Sequence, residues 1–96
     1  MEIEHETMTR MRSRYRESLP DKLERLRTMQ GRLDQSGVLT ELRAFAHQLA
    51  GSGATFGWPE ISDAAAHVEH ADATELAVAL GRLIEVVGEA IAVAPG

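Results

Sequence analysis

The chain contains no cysteine. That removes disulfides, thiolate metal ligands and cysteine nucleophiles, and it fits a reducing compartment, with the cytoplasm as the default expectation. Aromatic residues are few: two Phe, one Tyr and one Trp. Cations are lopsided, because nine of the ten Lys and Arg residues precede position 47 and only Arg82 follows it. With a formal net charge of -5 there is no cation surplus to displace counterions from phosphates, so no nucleic-acid partner is expected. Arg10, Arg12, Arg14 and Arg16 alternate with uncharged residues between Glu6 and Glu17 and read as a solvated helix face. No apolar run approaches the roughly 18 residues of a membrane span. The opening MEIEHETMTR is also too acidic and polar for a signal peptide, so no membrane association is expected. Ninety-six residues suffice for one core, and the expected organisation is one module over 1–96, frayed at 1–5 and 93–96.

What is present is helical periodicity. Met8, Met11, Tyr15, Leu19, Leu23, Leu26, Met29 and Leu33 step by three and four and draw one apolar stripe. Pro20 lies within it. Because proline lacks a donor and sits well only in a first turn, the spacing predicts two helices here, roughly Glu6 to Ser18 and Pro20 to Leu33. DQSG at 34–37 is turn chemistry. Leu39, Leu42, Phe45, Ala46, Leu49, Gly53 and Phe56 then form a second stripe, so helix is expected to about Phe56. Gly57 offers a C-terminal cap and Pro59 a first-turn residue for the next helix, with Ile61, Ala64, Ala65 and Val68 inward. Asp72-Ala73-Thr74-Glu75 resembles a capping box for a last helix whose buried stripe is Leu76, Leu80, Leu83, Ile84, Val87 and Ile91. Without strand-like alternation or repeats, the expected fold is all-α: an up-and-down four-helix bundle with a short N-terminal helix.

The informative stretch is AHQLAGSGATFG, 46–57. The core face of its helix holds Leu42, Phe45, Leu49 and Phe56, while His47 points elsewhere. At about 100° per residue its same-face neighbours are Arg43, Ala50, Gly51 and Ala54, three of them very small. The imidazole therefore stands clear, where something large can reach it. A serine-histidine mechanism is poorly supported, since Ser52 faces away from His47 on a helix. A zinc site is also poorly supported, since no carboxylate or histidine lies three or four residues from His47. What remains is His47 as the group that is itself modified, accepting a phosphoryl group on a ring nitrogen. The glycines match neither a dinucleotide-binding loop nor a P-loop. Gly51 bares the surface beside His47, Gly53 permits close helix packing, and Gly57 ends the helix. Asp63, His67 and His70 share a helix face that a solvated surface explains better than a partial metal site, so neither a metal nor a cofactor is expected.

FAHQLAGSGATFG followed by PEISDAAAHVE resembles the histidine-phosphotransfer (HPt) domain family. Ala46, His47, Leu49, Gly51, Ser52, Ala54, Gly57, Ile61, Ala65 and Val68-Glu69 fall where its pattern expects them. YRESLPDKLERL is similar to the family's first two helices, so the likeness covers nearly the whole chain. The resemblance implies an exposed acceptor at His47, exchange of phosphate with response-regulator receiver domains or a histidine kinase, and no ATP site of its own. Arg43, Gln48, Ala50, Gly51 and Ala54 are then the supporting residues.

One departure stands out: Ala50 occupies the position where the family usually has lysine. Arg43, one turn before His47, is the candidate to replace that cation. In a helical hairpin about Gly57 and Trp58, His67 and Val68 reach the height of His47, making His67 a candidate neighbour. Arg32 and Arg43 are candidate rim contacts for a docking partner. The alternative to phosphotransfer is a helical docking module derived from this family; a third reading, an enzyme with His47 as general base, lacks organised partner residues.

Overall fold

The computed structural model describes the chain from Glu2 to Val93, with side chains from Glu6 onward. Four helices follow one another: α1 Glu2–Gln30, α2 Val38–Thr55, α3 Pro59–His70 and α4 Leu76–Ala92. They pack in a ring, α1 against α2 and α4, α3 against α2 and α4, with α2 and α3 the most closely joined pair. This is the up-and-down bundle the periodicity predicts. Its core is Leu19 and Leu26 from α1, Leu42 and Leu49 from α2, Ile61 and Val68 from α3, and Leu80, Leu83 and Val87 from α4, all fully buried.

The expected break at Pro20 does not occur. α1 is one helix of 29 residues with the proline inside it, so the described residues hold no separate short N-terminal helix. Proline removes the bond its nitrogen would make to the Arg16 carbonyl and normally costs about 3 kcal/mol in a helix interior. Pro20 is exposed, on the solvent side of the helix, where water can serve the orphaned carbonyl. Meanwhile buried Leu19 and Leu26, with half-buried Leu23, keep the residues on both sides seated on the core. Tertiary packing therefore outweighs the local breaker. The helix also takes in the backbone of residues 2–5, which the sequence suggested was frayed; the side chain of His5 lies outside the described residues, as do residues 94–96.

Two contacts fix α1 along the bundle. The Tyr15 hydroxyl and Ser52 Oγ of α2 share a hydrogen bond of 2.9 Å, and the Tyr15 ring packs on Phe56 and Trp58 at centroid separations of 5.0 and 5.6 Å. Burial raises the Tyr15 phenol above its usual value, an effect the Ser52 bond partly opposes. Toward the other end of α1, the Arg25 guanidinium lies 4.2 Å from the centre of the Phe45 ring.

The α2–α3 turn explains two of the glycines. Gly57 has φ of 100°, a left-handed conformation that disfavours any side chain, and it lets the chain reverse directly into Pro59. At Gly53 a Cβ would lie 2.9 Å from the Ser62 nitrogen, 3.0 Å from the Trp58 carbonyl oxygen and 3.3 Å from Ile61 Cβ. The first turn of α3 is pressed onto α2 at this point, as the core-stripe position of Gly53 suggests. At the far end of α3, Asp72 Oδ1 accepts hydrogen bonds from the backbone N–H groups of Thr74 and Glu75 and from the Thr74 hydroxyl, at 2.9, 3.0 and 2.6 Å. This supplies the forward half of the expected capping box and leads into α4.

Candidate functional site

His47 lies near the middle of α2 on the side turned away from the core. Its side chain is 73% exposed, against 0% for Leu49 two residues on. Gln48, Gly51 and Ala54 are exposed, and a Cβ at Gly51 would have nothing within 4 Å. Ala50 is half-buried, and its carbonyl accepts the Ser62 hydroxyl of α3. The surface around the imidazole is thus low and open because its residues are small.

The hairpin at Gly57 brings the last turn of α3 alongside the imidazole. His47 Nδ1 and Glu69 Oε2 are 2.6 Å apart, and the Glu69 side chain is only 23% exposed. A carboxylate can only accept, so this bond places the proton on Nδ1, and it leaves Nε2, across the ring, with a free lone pair. The second oxygen, Oε1, lies 3.7 Å from Nε2 of the exposed His70. Glu69 thus orients the ring and fixes its tautomer, as carboxylates orient histidines in many sites. The sequence contains Glu69 within the family-like pattern, but nothing there singled it out as the partner of His47.

Arg43, one turn before His47, is placed differently from its expected role. Its Nη1 donates to the carbonyl oxygens of Glu69 and Val68 at 2.6 and 3.3 Å, and Nη2 donates to the Ala71 carbonyl at 2.8 Å. These are the C-terminal carbonyls of α3, where the helix dipole is negative and a cation contributes about 0.3–1 kcal/mol, up to about 2 in partly buried geometry. Both terminal nitrogens thus point at α3 and are engaged there.

His67 lies at a similar height but on another side. Two residues on a helix are about 200° apart, so when Glu69 faces α2, His67 faces away from it. Its Nδ1 donates to the Asp63 carbonyl of its own helix at 3.0 Å, and it lines an open groove with Asp63, Ala66, His70, Ala71 and Glu75. Among the described residues, no group of three or more His, Cys, Asp or Glu could hold a metal ion. Arg32 lines a separate groove between the end of α1 and the start of α2.

An exposed imidazole with Nδ1 tied to a carboxylate and Nε2 free has the arrangement of a base, a metal ligand or the acceptor of a group. The chain belongs to the Hpt domain family, whose model matches residues 10–92, nearly its whole length. No curated protein and no solved structure gives a significant match. Membership implies histidine phosphotransfer in phosphorelays at the general level, with receiver domains and kinases as partners in general and no ATP site in the domain. No helix among the described residues is long and apolar enough to cross a membrane.

Proposed function

We propose that this chain is one cytoplasmic phosphotransfer module in which His47 is the phospho-acceptor and Nε2 the attacking atom. The single observation that carries this reading is the bond between His47 Nδ1 and Glu69, which leaves the Nε2 lone pair free on an open surface. In the forward step that lone pair attacks the phosphorus of a receiver aspartyl phosphate. The N–P bond forms as the P–O bond to the aspartyl carboxylate breaks, and the electron pair leaves with the carboxylate. Positive charge develops on the imidazole while Nδ1–H stays on Glu69, where a charge-assisted hydrogen bond is stronger than a neutral one. The reverse sequence delivers the phosphoryl group to another receiver aspartate, and a histidine kinase is the alternative donor. Gln48, Gly51 and Ala54 form the surface on which the partner lands, with Ala50 at its inner edge.

A second reading, docking without transfer, is favoured by one observation: Ala50 stands where a lysine would meet the phosphoryl charge, and the nearby Arg43 guanidinium is committed to α3 carbonyls. One experiment separates the two. Incubation with a phosphorylated receiver or with a kinase is expected to give an acid-labile, base-stable label that disappears in His47→Gln. Binding without label from any donor would support docking alone.

A further inference from the structure

Glu69 is held twice, from two consecutive turns of α2. Arg43 takes its backbone carbonyl at 2.6 Å, and His47, four residues on, takes its side-chain Oε2 at 2.6 Å. The same guanidinium also holds Val68 and Ala71 by their carbonyls, so it spans the end of α3, where no further helical turn stabilises the backbone. We infer that Arg43 is a positioning residue: it fixes the axial register of the α3 C-terminus against α2, and through that register it sets which nitrogen of His47 carries the proton.

Register matters here because helix geometry is coarse. One residue of slip moves a side chain by about 1.5 Å along the axis and turns it by about 100°. A hydrogen bond tolerates only a few tenths of an ångström before it weakens. The core does not by itself specify Glu69 to that tolerance. The fully buried contacts of α3 are Ile61, Ala65 and Val68, and the close approach at Gly53 pins its opposite end. Past Val68 the one further core contact before the Asp72 loop is the small side chain of Ala71, and Arg43 is the α2 side chain that bonds this stretch's backbone. Arginine suits the task because its planar fork can serve several carbonyls at once; lysine would act as a point charge.

The inference rests on the His47 reading above, but its test does not require phosphotransfer. The measurement is the His47 tautomer, read from the imidazole ¹⁵N shifts, in the unmodified chain, Glu69→Gln, Arg43→Met and Arg43→Lys, with the melting temperature of each. Arg43→Met keeps the side-chain stem and removes all three bonds; Arg43→Lys keeps the charge. The unmodified chain should show mainly Nδ1–H. Arg43→Met should shift the ratio toward Nε2–H by roughly tenfold, the scale of one charge-assisted hydrogen bond. Arg43→Lys should shift it less, and Arg43→Met should have no further effect in a Glu69→Gln background. A lowered melting temperature with the tautomer ratio unchanged in the folded Arg43 variants would overturn the inference and leave a structural role only. Failure of every variant and of the unmodified chain to take label, with the tautomer shift intact, would instead sink the phosphotransfer reading and leave the positioning role standing.

Discussion

Gly51 and Gly53 are two residues apart on one helix and live in opposite surroundings. Around Gly53 the α2–α3 seam is so tight that a single added carbon would come 2.9 Å from a backbone nitrogen of α3. Around Gly51 the same carbon would meet nothing within 4 Å. A step of two residues turns about 200°, which is enough to pass from the packed seam to the face that His47 shares. Glycine therefore does two unrelated jobs in one motif, close approach on one side and access on the other. The seam fixes how α3 lies, and the open face uses that placement, since Glu69 reaches His47 from the far end of the same helix.

The largest expected effect comes from breaking the packed side. Gly53→Val should destabilise the fold by about 3 kcal/mol, because backbone atoms of α3 cannot move aside as a flexible side chain would. In a chain of this size that lowers the melting temperature by about 12 °C or more, measurable by circular dichroism. Next is Glu69→Gln, which acts on the open side. It should slow phosphorylation from a labelled receiver by roughly tenfold while changing the melting temperature little. A loss of stability equal to that of Gly53→Val would show that the two regions are not separable.

Gly51→Ala should do the reverse of Gly53→Val. It removes glycine's backbone freedom from the unfolded chain and meets no obstacle in the fold, so it should stabilise by about 0.5–1 kcal/mol, while the added methyl on the landing surface lowers label uptake from a receiver. The smallest effect is electrostatic and lies outside both regions. The Thr74 side chain and the Glu75 backbone N–H hold the Asp72 carboxyl below the usual aspartate value. The folded state favours the ionised form, so this contribution is present above the unfolded-state value and is lost as pH falls through the lowered one. Asp72→Ala should accordingly lower stability slightly and evenly at neutral and alkaline pH and make least difference at low pH, so that the acid side of a stability-against-pH curve flattens.

Much of this was legible in the sequence, for a physical reason. The stripes of α2, α3 and α4 are regular because each helix buries one face in one core, and the small residues beside His47 are visible as a pattern along a single helix. Pro20 misled because its cost depends on which way the helix faces: on the solvent side of α1, with leucines seated on either side, the break does not form. Glu69 was hidden for a related reason. Hairpin height alone brings His67, Val68 and Glu69 equally near His47, and only the rotational phase of α3 against α2 separates the residue that faces the imidazole from the one that faces away. Arg43 shows the same limit, since a cation one turn from a histidine looks like a phosphate ligand until the carbonyls it already serves are in view.

Trp58 gives the molecule an optical gauge of its own. It is the only tryptophan in the chain; its ring lies against Tyr15, its backbone N–H donates to the Gly53 carbonyl at 2.7 Å, and its own carbonyl is one of the atoms crowding Gly53. His47 is six residues before Gly53 on α2, about 9 Å along the axis. Intrinsic fluorescence should therefore register loosening of the helical turn and the departure of α1, yet stay silent when a proton changes nitrogens on the imidazole, so an unlabelled sample can tell damage to the scaffold from a change in its chemistry.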